Sequence, residues 1–172
     1  QQDNGAHILD VNVGLPDIDE PAVMVEAIRE IQSVTSLPLQ IDTVDETAME
    51  AAMRIYNGKP MVNSVNGKQE IMDQVFPLIK KYGGVVVGLT IDESGIPDTA
   101  EGRLEVAQKI IKEAAKYGID KKDIVIDVLA MTISSDPDSA RITLDAVKLV
   151  REKCGVRTVL GVSNISFGLP YR

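Results

Sequence analysis

Strand-like and helix-like patterns alternate along these 172 residues, and that alternation predicts an α/β fold of parallel strands joined by crossover helices. Two further observations support it. The strand-like runs are short and rich in Val and Ile, as strands covered on both faces are, and their polar residues gather at the C-terminal ends. Two architectures satisfy the pattern: an open doubly wound sheet, or a (β/α)8 TIM barrel of which this chain holds about six strands. The length suits one domain, and 44% hydrophobic residues suffice for a buried core.

Gln1 to Gly5 reads as the last turn of a helix with Gly5 just past its end. His7 to Val13 is an apolar strand turning polar, and Asp19 followed by Pro21 caps a helix to about Val34. Leu37 to Asp42 is the next strand, after which Asp45 caps a helix that stops at Gly58. Pro60 to Ser64 and a helix from Gln69 to Tyr82, stopped by Gly83-Gly84, repeat the unit. Val85 to Thr90 is a continuous apolar strand, and Asp98-Thr99-Ala100-Glu101 reads as a capping box for a helix ending at Gly118. Ile124 to Asp127 is a fifth strand, Asp136-Pro137 opens a helix to about Lys153, Gly155 closes it, and Thr158 to Val162 is a sixth strand. The helical windows differ in sequence, so the repetition is of supersecondary units and not of a solenoid motif.

A net charge of −8 and the lack of a basic stripe argue against nucleic acid or an anionic membrane surface as partner. Aromatic residues make up 3%, too few for stacking platforms. The single Cys154 rules out an internal disulfide and a cysteine zinc cluster, which fits a reducing cytoplasmic compartment. No apolar run approaches the ~20 residues of a membrane span, and Gln1 to Gly5 lacks the order of a signal peptide. His7, the only histidine, stands at the start of a strand, so no histidine metal cluster forms and no metal site is expected. Neither a Gly-x-Gly-x-x-Gly nor a Gly-x-x-x-x-Gly-Lys-Ser/Thr motif follows a strand, which argues against dinucleotide and P-loop sites.

The chemistry lies in the strand ends: Asp10 and Asn12, Asp42 and Thr43, Asn63 and Asn66, Thr90 and Asp92, Asp127, and then Ser163, Asn164 and Ser166. In a parallel sheet or barrel these ends share one face. Carboxylates and amides at otherwise apolar termini need partners, since an unpaired buried carboxylate costs several kcal/mol. Lys and Arg are nearly absent there, so the ligand brings its own donors. A 2-aminopyrimidinone edge, with an amino group beside a ring N–H, matches a carboxylate that accepts two hydrogen bonds and an amide that gives and takes one each. Asp10, Asn12 and Thr90 are equally placed to cap helices or pin loops, whereas Asp42, Asn63, Asp127 and Asn164 stand at strand termini.

The segments ending at Asp42-Thr43, Val62-Asn63-Ser64 and Asp127, followed by Gly161-Val162-Ser163-Asn164-Ile165-Ser166-Phe167-Gly168-Leu169-Pro170, resemble the pterin-binding family. The resemblance runs through the entire chain in order. It is strongest to the methyltetrahydrofolate domain of cobalamin-dependent methionine synthase and to methyltetrahydrofolate corrinoid methyltransferases. It implies a (β/α)8 TIM barrel, here incomplete, with residues 1 to 172 as one pterin-binding domain truncated at both ends. It also implies a methyltransferase that binds 5-methyltetrahydrofolate and passes the N5 methyl group to a cobalamin or other corrinoid on another domain or protein. By resemblance Asp42, Asn63 and Asp127 hold the pterin ring, Asp10, Asn12 and Ser166 complete the folate site, Asn164 lies near N5, and Arg172 matches a pterin-contacting arginine. Asn164 is an amide and cannot be the acid; the proton for N5 comes from water oriented by Asp42. The family strand usually runs Asp-Pro where Val128 follows Asp127 here. The Asp-x-His-x-x-Gly motif of corrinoid-binding chains is missing, since Ile8-Leu9-Asp10 follow His7, so the corrinoid is expected on a partner. A homodimer is compatible with all of this.

Other readings are a dihydropteroate synthase-like enzyme, which uses a basic motif near its last strand where only Arg172 is present, and a non-catalytic pterin-binding module that docks on a corrinoid protein. An aldolase-like barrel would want a lysine inside a strand, whereas Lys59, Lys68 and Lys122 fall in loops or at helix starts.

Overall fold

The computed structural model describes residues 2 to 170; Arg172 lies outside them. Six strands, β1 (Leu9–Val11), β2 (Leu39–Asp42), β3 (Met61–Asn66), β4 (Val85–Leu89), β5 (Ile124–Asp127) and β6 (Arg157–Val159), alternate with five helices. The helices are α1 (Glu20–Val34), α2 (Glu46–Ile55), α3 (Gln69–Tyr82), α4 (Ala100–Lys116) and α5 (Ser139–Cys154).

All strand pairs are parallel, and the sheet order is the sequence order, β1-β2-β3-β4-β5-β6. A doubly wound sheet reverses its strand order at a switch point. None occurs here, and consecutive helices pack against one another, α1 on α2 through α4 on α5. The helices therefore share one side, and the strands form the six-stranded half of a (β/α) barrel.

The faces follow from burial and register. Leu39, Ile41, Val62, Val86, Ile124 and Ile126 belong to the core between sheet and helices, together with Met24, Ile28, Met72, Phe76 and Ile110. The alternate positions face the barrel interior: Asp10 pairs with Gln40, Asp42 with Asn63, Asn63 with Val87, and Leu89 with Asp127. The period of two thus sends apolar residues outward to the helices and the polar strand ends inward.

Helix starts follow the caps. The Asp19 and Asp45 side chains accept from the amides of Ala22 and Ala48. At α4 the cap is Thr99, accepting from Gly102 N at 3.1 Å, and not Asp98 as a capping box would have it. α5 begins two residues later than Asp136-Pro137 suggests, because the Asp136 carboxylate accepts from Asp138 N and closes a separate turn first. α2 ends at Ile55, ahead of Gly58. β1 is shorter than the run His7 to Val13, and Gln2–Asn4 is a 3-10 turn ahead of Gly5 rather than an α-helical one. β6 ends at Val159, and Val162–Ser166 wind into a 3-10 turn, so Asn164 sits on a turn beyond the strand and not at its terminus.

Candidate active site at the strand ends

The first group of inward residues lies on β1, β2 and β3. The Gln40 amide donates to Asp10 Oδ1 at 2.6 Å. Asn12 spans both roles expected of it: its Oδ1 accepts from Gly14 N, pinning its own loop, while its Nδ2 donates to Asp42 Oδ2 at 3.0 Å. Asn63 is the register neighbour of Asp42, and its side chain makes no hydrogen bond to a described residue. The strand register shifts between Asn63 and Val65, so the end of β3 is irregular where it meets the site. Burial raises the Asp42 carboxyl above its ordinary value; the Asn12 bond opposes this, and the charge of Asp10 adds to it.

The second group lies on β5 and the turn after β6. Asp127 Oδ1 accepts from Leu129 N at 2.7 Å, and the nearby Gly161 amide also favours its charged form. Burial raises this carboxyl too, and the two amides and Arg103 oppose it. Gly161 O in turn accepts from Asn164 N at 3.1 Å. A Cβ at Gly161 would come within 3.1 Å of Asn164 Nδ2, so the missing side chain lets the amide fold over the backbone. Gly161 thus stands between Asp127 and the turn that bears Asn164. Ser166 is satisfied locally, donating to Ser163 O at 3.1 Å.

No hydrogen bond joins the two groups among the described residues. They flank β4, whose inward Val87 and Leu89 give an apolar floor between Asn63 and Asp127. Two strand spacings and a two-residue offset along the strand separate those residues, roughly 12 Å, the scale of a fused bicyclic ring with a hydrogen bond at its edge. Among the described residues neither Asp42 nor Asp127 is in a salt bridge, so both keep acceptor capacity for a ligand.

Other polar strand ends serve the scaffold. Thr43 donates to Glu20 and accepts from Asp45 N, joining the starts of α1 and α2. Asn66 and Asp92 accept from Lys68 N and Ser94 N inside their own loops. Thr90 is fully buried, and its hydroxyl has no partner among the described residues. A residue not apparent from the sequence is Arg103 of α4, only 2% exposed, whose guanidinium donates to Pro97 O, Val128 O and Leu129 O. An arginine in an amphipathic helix reads as solvated, and no local pattern marks this one. Val128, which follows Asp127, is fully buried in the core.

A half barrel whose polar strand ends gather around an apolar floor is a (β/α) barrel with its candidate site at the C-terminal face. The chain belongs to the pterin binding enzyme family, which it matches over residues 1–171. It is 33% identical over 180 residues to the methionine synthase of Mycobacterium leprae, covering 98% of this chain and 15% of that protein. To the methylcorrinoid:tetrahydrofolate methyltransferase of Eubacterium limosum it is 30% identical over 179 residues, covering 100% of this chain and 65% of that protein. The chain therefore spans a small part of the mycobacterial relative and just under two thirds of the other. Among solved structures, a dihydropteroate synthase of Xanthomonas albilineans in complex with 7,8-dihydropteroate superposes with a TM-score of 0.62 at 24% identity, over 94% of this chain and 60% of that one. That likeness concerns the fold. No helix of the described residues is long and apolar enough to cross a membrane.

Proposed function

We propose that the inward strand ends hold the pterin ring of 5-methyltetrahydrofolate, and that residues 1 to 172 act as a methyltransferase domain moving the N5 methyl group between folate and a corrinoid on a partner domain or protein. The observation that carries this reading is the pair of half-buried carboxylates, Asp42 and Asp127, on either side of the β4 floor, neither of them in a salt bridge among the described residues. A carboxylate in that state suits the amino group and ring N–H of an aminopyrimidinone, which supply two donors side by side. The Asn63 amide, beside Asp42 and making no hydrogen bond to a described residue, suits a ring edge that presents both a donor and an acceptor. The relatives named for methionine synthesis and for methylcorrinoid:tetrahydrofolate methyl transfer support the choice of reaction.

A reduced corrinoid, when a partner presents it, supplies the electron pair that takes the methyl group. On this chain the requirement lies at N5, which keeps the electrons of the broken carbon–nitrogen bond and takes a proton. Asn164 donates or accepts a hydrogen bond there and holds N5 in line; it has no proton to lose at neutral pH. Water held by the Asp42 and Asn12 pair delivers the proton. The same groups serve the transfer in either direction, because the N5 proton gained in one is lost in the other.

A hydrogen bond that strengthens as N5 gains electrons stabilises the transition state more than the bound substrate. Asn164→Ala should therefore lower the methyl-transfer rate about 100-fold, the scale of one lost transition-state donor, and weaken folate binding by a few-fold at most. The measurement is loss of Co(I) absorbance on mixing the protein, 5-methyltetrahydrofolate and reduced cobalamin. Equal losses in rate and affinity would remove Asn164 from N5. Tight folate binding with no methyl transfer by the unaltered protein would leave a binding module instead of a transferase.

A further inference from the structure

We infer that Arg103 is a positioning residue for Asp127: from α4 its buried guanidinium fixes the strap after β5, so that the Leu129 amide is aimed at the Asp127 carboxylate. This deepens the proposed function, since it rests on Asp127 as a pterin acceptor.

Arg103 spends its charge in an unusual way. Among the described residues it is in no salt bridge. All its backbone partners are carbonyls: Nε donates to Pro97 O at 3.0 Å, and Nη1 donates to Val128 O at 2.9 Å and Leu129 O at 2.8 Å. A buried cation of this kind is seldom the most stabilising choice, since an apolar side chain of similar volume often serves stability as well or better. What the cation does here is gather two loops. Pro97 stands before α4, while Val128 and Leu129 follow β5.

The held strap is not relaxed backbone. Leu129 has φ +66°, a left-handed conformation disfavoured by a residue with a side chain. Its carbonyl is fixed twice, by Arg103 and by the Thr143 hydroxyl of α5 at 3.1 Å. With the carbonyl pinned on the core side, the Leu129 N–H meets Asp127 Oδ1 at 2.7 Å. Further along the same strap Ile133 N donates to Ile165 O and Ser134 Oγ donates to Phe167 O. The strap that Arg103 anchors therefore also carries the turn bearing Asn164.

Of the charged side chains on the described elements packed round Asp127, that of Arg103 acts on it, and it opposes the upward push of burial. Asp98, in the loop before α4, acts on Arg103. Without the guanidinium the Asp127 carboxyl moves further up, so a bond that needs the carboxylate is lost at a higher pH.

The experiment uses the full chain, with tetrahydrofolate affinity measured across pH for the unaltered protein, Arg103→Met, Arg103→Lys, Asp127→Asn and the Arg103→Met/Asp127→Asn double variant. Arg103→Met should weaken binding about tenfold, the scale of one or two lost charge-assisted hydrogen bonds. It should also raise the pH below which binding fails. Arg103→Lys, which keeps the charge, should leave that pH in place and restore part of the affinity. The double variant should bind no worse than Asp127→Asn alone, because Arg103 acts through Asp127. Losses that multiply, or a pH edge unmoved by Arg103→Met, would overturn the assignment. If Arg103→Met does not fold, Thr143→Val, which removes one of the two anchors on Leu129 O, should weaken tetrahydrofolate by a few-fold; unchanged binding would overturn it equally. If the unaltered protein binds no tetrahydrofolate, the pterin reading fails on its own account. The Asp127 carboxyl followed by carbon-13 resonance in the free protein then decides: a higher titration point in Arg103→Met upholds the positioning role, and an unchanged one ends it.

Discussion

Asp42 is held in a state that suits a ligand better than it suits the empty fold. Its carboxyl is raised by burial, so the folded state favours the protonated form more than the unfolded chain does. The sign of the linkage follows: the stabilisation from this group is complete below the unfolded pKa, and it is lost as pH rises through the higher folded value. At neutral pH the charge is a net burden on the empty protein. Asp42→Asn keeps an acceptor for Asn12 Nδ2 and removes the charge. It should raise the unfolding midpoint at pH 7 by up to about 2 °C, small because the group is partly solvated, and leave the midpoint unchanged below about pH 3.5, where Asp is protonated anyway. Thermal melts at the two pH values test this, and a lower midpoint at pH 7 would mean that the carboxylate is stabilising instead. The same substitution should weaken tetrahydrofolate, a trade of stability for binding that sites commonly show. At this scale the sequence was informative where a polar residue interrupts an apolar strand, as at Asp42, Asn63 and Asp127. It was silent on Arg103, whose burial depends on a loop 25 residues away in the chain.

Elements meet closely where the β3–α3 and β4–α4 loops cross. Gly67 N donates to Ile91 O at 2.7 Å, and a Cβ at Gly67 would stand 2.7 Å from Val106 Cγ1 and 3.0 Å from Ile91 O. Val106 is buried on α4 and cannot swing clear, and the carbonyl is backbone. Gly67→Ala should cost about 1 to 3 kcal/mol, read as a lower denaturation midpoint with an unchanged slope; a neutral result would show that the two loops separate readily. Helix starts with one unambiguous acceptor, such as Asp19 and Asp45, were legible to the residue. Those with several neighbouring candidates were not: Asp98 and Thr99 compete before α4, and Asp136 closes a turn of its own before Asp138 reaches α5. β6 was overestimated because Leu160 to Val162 is apolar enough for a strand, yet Gly161 is drawn to Asp127 and the chain turns there.

The alternation of strands and helices left two architectures open because it says nothing about the order in which strands lie side by side. That order is a long-range property, and only the pairing β1 to β6 in sequence, with helices on one side, selects the barrel half. The same order makes the molecule nearly a linear array, in which each strand and helix touches mainly its predecessor and successor, so its cooperativity resembles that of a chain of coupled units. In such an array opening starts at the outer units, and amide hydrogens in β3 and β4 should exchange most slowly, with protection falling towards β1 and β6. A ring gripped on one side by Asp42 and Asn63 and on the other by Asp127 would act as a staple across that array. Tetrahydrofolate should then slow exchange in β2 and β5 together while changing β4, already the most protected, least of all. Hydrogen exchange read by mass spectrometry checks this; protection gained on one flank alone would mean that the ligand is held by half of the site.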